Sequence, residues 1–254
     1  MAITIKSERE IELMAEAGKI LERVHNELEK ALRPGMSTKD IDTLGEEIIR
    51  SYGCIPSFLN YNGYPASICV SVNQEVVHGI PDKHRIIQEG DIVSLDAGVI
   101  YKGYHSDAAR THAVGEVSEE AKKLIQVTKE SFFEGIKFAK AGNHLFDISG
   151  AIGRYAEERG YGVVRDLCGH GIGTALHEAP EIPNYEVERK GVRLRPGMTL
   201  AIEPMINIGT HEVDWLDDDW TVVTRDGSLS AHYENTILIT EGEPRILSLT
   251  CENE

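Results

Sequence analysis

The feature that most constrains the fold of this chain is an internal repeat with a constant spacing of 107 residues. The matched positions are Gly35 and Gly142, the Asp-Ile pairs at 40–41 and 147–148, Gly53 and Gly160, Gly90 and Gly197, and Asp96 and Glu203. The repeat predicts two similar halves, roughly 7–115 and 118–240. Since no low-complexity linker separates them, we expect one fused domain over residues 1–254, with one sheet formed across both halves.

Each half is predicted to begin with two helices. Ser7 and Glu10 have capping-box spacing, and the helix that they open is expected to end before Pro34-Gly35. A second helix is predicted from about Thr38 to Tyr52. In the second half, Ser118 opens a helix that is expected to run to about Ala141, and another follows from about His144 to Arg159.

Strands are predicted after the helices of each half, at 91–101, 104–114, 199–208 and 229–240. Lys102-Gly103 suits a two-residue hairpin turn. In that register Asp96 faces Ala109, and Asp107 lies diagonally from Asp96 on the same face. Two carboxylates brought together among apolar residues repel each other and lose hydration, so neutralising cations are expected beside them.

The second half carries a matching pair of acids, Glu203 and Glu234. A histidine stands two residues before one acid in each half, in His105-Ser-Asp107 and His232-Tyr-Glu234. Four carboxylates suit two divalent cations, and a histidine ligand favours Mn, Fe, Co or Zn over Ca or Mg. The best histidine is His170, because the glycines around it allow close backbone approach and an unusual turn.

Composition restricts the classes of partner and compartment. The net charge of −16, from 26 basic and 42 acidic residues, disfavours nucleic-acid binding. No apolar run is long enough to span a membrane, and the N-terminus does not resemble a signal peptide. The four cysteines are scattered, which is typical of reduced thiols in the cytoplasm; they are Cys54, Cys69, Cys168 and Cys251.

The ordered set of Asp96, Asp107, His170, Glu203 and Glu234 resembles the dinuclear metallopeptidases of the pita-bread fold, and most closely the type I methionine aminopeptidases. The resemblance extends from the first helix to Thr240, and it includes the segments Tyr61-Asn-Gly-Tyr-Pro65, Val76-Val-His-Gly-Ile-Pro81 and Tyr233-Glu-Asn-Thr236. It implies an α+β fold in which duplicated helices pack on a curved, mainly antiparallel sheet.

The resemblance also implies a role for each site residue. Asp107 and Glu234 would bridge two divalent ions, Asp96 would complete one metal site, and His170 and Glu203 would complete the other. A metal-bridging water would attack the scissile carbonyl, with Glu203 as proton shuttle. His177 would stabilise the tetrahedral intermediate and His78 would contact the scissile amide. The methionine pocket would be formed by Phe58, Tyr61, Tyr64, Cys69, Leu176 and Trp220, with His78 and His177 beside it.

The implied reaction is removal of the initiator methionine from nascent polypeptides when the second residue is small. We expect a cytoplasmic monomer that meets its substrate at the ribosome and binds neither nucleic acid nor membrane. Leu167 departs from the family, which often has an aromatic residue there. Two alternatives stay open: a proline-specific peptidase of the same fold, and a non-catalytic peptide-binding relative without metals.

Overall fold

The computed structural model describes residues 3–249, in which two blocks of helices alternate with two blocks of strands. The helices are α1 Glu8–Ala31, α2 Thr38–Ser51, α3 Glu119–Ile136 and α4 Leu145–Glu157, with a short 3₁₀ turn at Tyr61–Gly63. The strands are β1 Ile55–Pro56, β2 Ile68–Val72, β3 Glu75–Val77, β4 Ile92–Tyr101, β5 Tyr104–Ala113, β6 Gly162–Val163, β7 Gly169–Gly171, β8 Glu178–Ile182, β9 Thr199–Ile202, β10 Met205–Asn207, β11 Val213–Trp215, β12 Val222–Thr224, β13 Ser230–His232, β14 Asn235–Leu238 and β15 Arg245–Ile246.

The helix starts follow from local capping chemistry. Ser7 accepts a hydrogen bond from the Glu10 amide, and the Glu10 carboxylate accepts one from the Ser7 amide. Ser37 and Asp40 form the same capping box at α2. These reciprocal bonds satisfy amides that a helix leaves unpaired at its first turn, so the predicted starts of α1 and α2 are confirmed.

The predicted end of α3 at Ala141 is wrong, because the helix ends at Ile136. The following amides bond three residues back, as Phe138 does to Gly135 and Ala139 does to Ile136. Such tight turns let the chain reverse and lay α4 against α3. The reversal is completed at Gly142, whose φ of 94° favours glycine.

The central hairpin has the predicted register. Strand β4 pairs antiparallel with β5, with Tyr101 opposite Tyr104 and Asp96 opposite Ala109. Lys102 and Gly103 form the turn with φ values of 48° and 85°. Positive φ at both central residues matches the twist of a two-residue hairpin, which explains why this register is kept.

The strands predicted at 199–208 and 229–240 are each divided in two. Strands β9 and β14 pair in a five-stranded sheet, whereas β10 and β13 pair in a three-stranded one. Pro204 has no amide hydrogen, so a ladder cannot continue through it. The chain changes sheets at Glu203-Pro204 and at Tyr233-Glu234, so the strands between residues 3 and 249 form four sheets rather than the expected single one.

The two halves meet at the centre of the molecule. Strand β3 of the first half pairs with β12 of the second. Thr236 Oγ1 accepts a hydrogen bond from the Asp107 amide and donates one to the Asp107 carbonyl, both at 2.9 Å. The Glu234 amide donates to the Ala109 carbonyl at 3.0 Å. These bonds join β5 to the second half beside the predicted metal ligands.

Candidate metal centre and substrate pocket

The first-half acids project from one face of the β4–β5 hairpin. Asp96 is opposite Ala109 and Asp107 is opposite Gly98, so the two acids are diagonal neighbours. Both carboxylates are buried, with 9% and 4% of the residue exposed. The apolar residues of β4 therefore surround two charges that approach each other, as the sequence predicts.

His170 lies at the centre of strand β7, and the unusual turn expected at this position is wrong. A methyl group on Gly169 would lie 2.4 Å from the Ala201 carbonyl oxygen, and one on Gly171 would lie 2.2 Å from that of Ala179. The glycines are therefore needed for close strand packing, and that part of the expectation is confirmed. His170 Nδ1 donates to the Gly171 carbonyl at 2.9 Å, which leaves the Nε2 lone pair free.

The second-half acids stand in the two strand interruptions. Ile202 pairs with Asn235 and Met205 pairs with His232, so Glu203 and Glu234 are directly opposite each other where the ladder opens. They therefore differ from the diagonal first-half pair. The interruption releases both acids from regular strand geometry, and it lets their side chains meet the ligands of the first half.

Four of the five predicted ligands lie close together. Ligand atoms of Asp107, His170 and Glu234 lie within 4.8 Å of one another. His170 Nε2 is 3.6 Å from Glu203 Oε1 and 3.8 Å from Asp107 Oδ2. Asp96 lines the same cavity, and its charge is close enough to raise the pKa of Asp107.

Burial shifts the pKa of every member of this group. Burial raises the pKa of Asp96 to about 7. Burial, together with neighbouring carboxylates, also raises the pKa of Asp107, Glu203 and Glu234 well above the ordinary values. Burial lowers the pKa of His170 to about 3, with His177 adding to the effect. The protein alone does not stabilise the ionised carboxylates, which therefore need a positive counter-charge.

The donor set fits divalent metal ions. Asp96 Oδ1, Asp107 Oδ1 and Glu234 Oε1 are buried and have no hydrogen-bond partner among residues 3–249. His170 has the tautomer whose Nε2 can act as a ligand. Buried carboxylate oxygens of this kind are tolerated when they coordinate a cation, and a mixed oxygen and imidazole set suits first-row metals.

The acids form the floor of a cavity of about 310 Å³. All residues that the sequence assigns to the substrate pocket line it, namely Phe58, Tyr61, Tyr64, Cys69, His78, Leu176, His177 and Trp220. The cavity also includes residues that were not predicted: Asn62, Val77, Asp166, Leu167, Cys168 and Met205. Of these, Met205 could have been expected from the sequence, because it comes directly after Glu203-Pro204 and so lies close to a predicted ligand.

His78 and His177 are held at the wall of the cavity by aromatic neighbours. Tyr61 Oη and His177 Nδ1 are hydrogen-bonded at 2.7 Å, and the His177 ring centroid is 4.1 Å from that of His170. His78 has a φ of 59°, which is strained for a residue with a side chain. Its ring lies edge-on to Trp220, with 6.3 Å between centroids. Such strain commonly marks a functional position.

Arg110 is a further residue of the centre that was not predicted. Its guanidinium donates to the Glu234 carbonyl and, at 2.6 Å, to the Asn235 side-chain oxygen. A charged residue in the small-residue segment Ala108-Ala109 is the signal that could have identified it. Arg110 therefore fixes the backbone that carries Glu234.

The thiols of Cys54, Cys69 and Cys168 are free and take no part in disulfides.

Comparisons with known proteins identify the family. A family model described as metallopeptidase family M24 matches residues 12–241. The methionine aminopeptidase of Clostridium acetobutylicum is 58% identical over 98% of this chain and all of that protein. A crystal structure of methionine aminopeptidase from Thermotoga maritima has a TM-score of 0.96 at 47% identity, covering 98% of this chain and 100% of that one.

A more distant solved structure is the Xaa-Pro dipeptidase from Bacillus anthracis, with a TM-score of 0.78 at 27% identity. It is matched over 98% of this chain but only 63% of its own length. The two methionine aminopeptidases have a higher sequence identity to this chain and are matched over a larger share of their own length. The chain therefore belongs to metallopeptidase family M24, on its methionine aminopeptidase branch, and has the pita-bread fold of that family.

Proposed function

We propose that this protein is a metal-dependent aminopeptidase that removes N-terminal methionine from polypeptides whose second residue is small. The observation that carries the proposal is one cavity in which a buried carboxylate and histidine cluster forms the floor and aromatic or apolar side chains form the wall. A charged centre can act on a peptide bond while the wall binds an apolar side chain.

Asp96, Asp107, His170, Glu203 and Glu234 would hold two divalent ions of the Mn, Fe, Co or Zn type. The ions would acidify a water molecule and polarise the scissile carbonyl. The four carboxylates match the charge of two divalent ions, which supports this number over one. The mixed oxygen and imidazole ligand set supports a first-row metal, without selecting among the four.

Glu203 is the proposed proton shuttle. Its side chain is 14% exposed and lines the cavity beside His170, so it can reach both the floor of the site and a bound peptide. Burial raises its pKa, which favours a carboxyl group that accepts a proton and returns it to the leaving amine.

His78 and His177 would bind the scissile amide and the oxyanion that forms from it. Both line the cavity, and burial lowers the pKa of both, that of His78 to about 4. A neutral imidazole can donate one hydrogen bond to the substrate, and it carries no positive charge that would repel the metal ions. Tyr61 would keep His177 oriented through their 2.7 Å hydrogen bond.

The substrate side chain would lie against the aromatic wall. Phe58, Tyr64 and Cys69 are all below 8% exposed, and the Trp220 ring packs edge-on against Tyr64 at 5.1 Å. An unbranched thioether can adapt to such a surface and contact its rings favourably. The free α-amine would lie near Asp96, since a carboxylate suits an N-terminal ammonium group.

A panel of three peptides tests the proposed specificity. Metal-loaded protein should release methionine from Met-Ala-Ser and should leave Met-Phe-Ser intact, because the bulky second side chain has to fit beside His78 and His177. The matched Ala-Pro-Ser peptide should also remain intact. Preferential cleavage of Ala-Pro-Ser would favour the proline-specific alternative, and no cleavage of any peptide would favour the non-catalytic one.

The setting of this reaction is also a proposal. We propose that the 254 residues form one catalytic domain, which acts as a monomer in the cytoplasm on nascent chains at the ribosome. Among residues 3–249, none of the helices has the length and apolarity that a membrane crossing requires. Sedimentation of the purified protein tests its mass, and cosedimentation with translating ribosomes tests the site of action. Sedimentation as a dimer, or no binding to translating ribosomes, would contradict the corresponding part.

A further inference from the structure

Neither histidine of the two His-x-acid motifs has a role in the proposed mechanism, and His232 is the more deeply buried of the two. His232 is 1% exposed and precedes Glu234 by two residues. Thr111 Oγ1 accepts a hydrogen bond from the His232 amide and donates one to the His232 carbonyl, both at 2.9 Å. The backbone of His232 is thereby fixed to strand β5, which also carries Asp107.

The His232 ring stands next to two metal ligands of the proposed centre. Its Nε2 is 3.8 Å from Glu203 Oε2 and 4.0 Å from Glu234 Oε2. Neither ring nitrogen has a hydrogen-bond partner among residues 3–249. A buried imidazole without partners is costly, so this position requires an explanation.

The first-half counterpart does not share this arrangement. His105 Nδ1 is 3.0 Å from Ser57 Oγ, within hydrogen-bonding distance. His232 instead lines a second cavity of about 330 Å³, together with His25, Arg110 and His112.

The distances from His232 Nε2 to the two carboxylate oxygens are slightly too long for hydrogen bonds. Values of 3.8 and 4.0 Å exceed the usual limit by less than about 1 Å. The terminal torsion of a glutamate side chain has a broad energy minimum, so a small rotation of either carboxyl group can close the gap.

We propose that His232 is a positioning residue of the metal centre, whose Nε2–H donates to the outer carboxylate oxygens of Glu203 and Glu234 and holds their inner oxygens toward the ions. The inference rests on the proposed metal centre and deepens it. Hydrogen bonds from outside the ligand set fix ligand orientation, and their removal typically costs about 10–100-fold in metal affinity. No proton transfer by His232 is involved.

Calorimetric titration of metal-stripped protein with Mn²⁺ tests this role independently of peptide cleavage. His232→Leu removes the donor and should weaken Mn²⁺ binding by about 10–100-fold. His232→Gln places an amide NH₂ near the position of Nε2 and should restore most of the affinity. His232→Asn places its amide near Nδ1 instead and should not. His112→Leu, a change in the same second cavity, should bind Mn²⁺ as the unaltered protein does.

The visible spectrum of the Co²⁺-loaded variants separates positioning from ligation. We expect the same coordination number in His232→Gln and in the unaltered protein. Unchanged Mn²⁺ affinity in folded His232→Leu, or equal affinities of the Gln and Asn variants, would overturn the inference. Loss of a nitrogen ligand from the Co²⁺ spectrum would also overturn it. If His232→Leu does not fold, the Gln and Asn variants decide. Failure of the unaltered protein to bind Mn²⁺ would instead contradict the proposed centre itself.

Discussion

At the scale of single residues, the candidate ligands stand out in the sequence because each differs from its surroundings. Asp96 interrupts an apolar strand, and His170 stands among glycines. The backbone strain at His78 could not be predicted, since its φ of 59° depends on packing around the cavity. Arg110 was also missed, because its partners are Asn235 and the Glu234 carbonyl, more than 120 positions away.

The role of Glu203 leads to a prediction about turnover. Glu203→Gln keeps a ligand oxygen but cannot accept a proton, so kcat should fall by about 10²–10⁴-fold at saturating metal, with little change in KM. Steady-state release of methionine from Met-Ala-Ser measures both constants.

The matched control for this change is Glu181→Gln. Glu181 pairs with His170 from the neighbouring strand β8 but is exposed to solvent, so its substitution should leave kcat unchanged. Full activity of Glu203→Gln at saturating metal would remove Glu203 from the mechanism.

At the scale of elements, capping chemistry and turn chemistry were sufficient to predict the helix starts and the β4–β5 register. Those signals are local, so the printed sequence contains them. The division of the strands was missed because apolar residues continue on both sides of Glu203-Pro204, and because no glycine or proline marks a break near Glu234. Which sheet each segment joins depends on partners from distant parts of the chain, such as Val163 beside Ile206.

The close packing of strand β7 leads to a prediction about stability. In Gly171→Ala the new methyl group would meet the Ala179 carbonyl oxygen at 2.2 Å. The backbone has to shift, so we expect the free energy of unfolding to fall by about 1–3 kcal/mol. Metal affinity should fall as well, since His170 is the adjacent residue. Urea unfolding and Mn²⁺ titration measure the two effects.

Gly242→Ala is the control for this prediction, because a methyl group there meets nothing within 4 Å. Its effect should stay within about 0.5 kcal/mol. Equal stability of the two variants would show that β7 can move without cost, and the packing argument for the two glycines would then fail.

At the scale of the whole molecule, the two halves bring their charges to one point. Each half contributes two acids, and burial raises the pKa of all four. The repeat in the sequence was sufficient to predict this convergence. Its exact form was not predicted, because the first pair is diagonal and the second pair is directly opposite.

The raised pKa values predict how metal-free protein responds to pH. In the unfolded chain these carboxyls titrate near about 4, so the folded state retains protons that the unfolded state has already released. This contribution to stability is present below about pH 4 and is lost as pH rises through the folded pKa values. That pKa is about 7 for Asp96, and the pKa values of the other three acids are raised in the same direction. The buried histidines have the opposite effect on the free energy of unfolding, but only below about pH 6.5, where the histidines of the unfolded chain become protonated.

Between about pH 6.5 and 7.5, around the folded pKa of about 7 of Asp96, the free energy of unfolding of metal-free protein should therefore fall, by on the order of 1 kcal/mol per pH unit. Excess Mn²⁺ should remove this slope, because bound cations stabilise the ionised carboxylates. Urea unfolding with chelator and with Mn²⁺ measures both curves. Metal-free stability that is constant or rising over this range would contradict the electrostatic description of the centre.

Release of methionine from Met-Ala-Ser, measured while Mn²⁺ is added back to metal-stripped protein, tests the central claim most directly. We predict no release in chelator, and a rise that saturates as the site of Asp96, Asp107, His170, Glu203 and Glu234 is filled. Asp107→Asn, which weakens a proposed bridging ligand, should shift that rise to higher Mn²⁺ concentration. Equal release in chelator and in saturating Mn²⁺ would contradict the account.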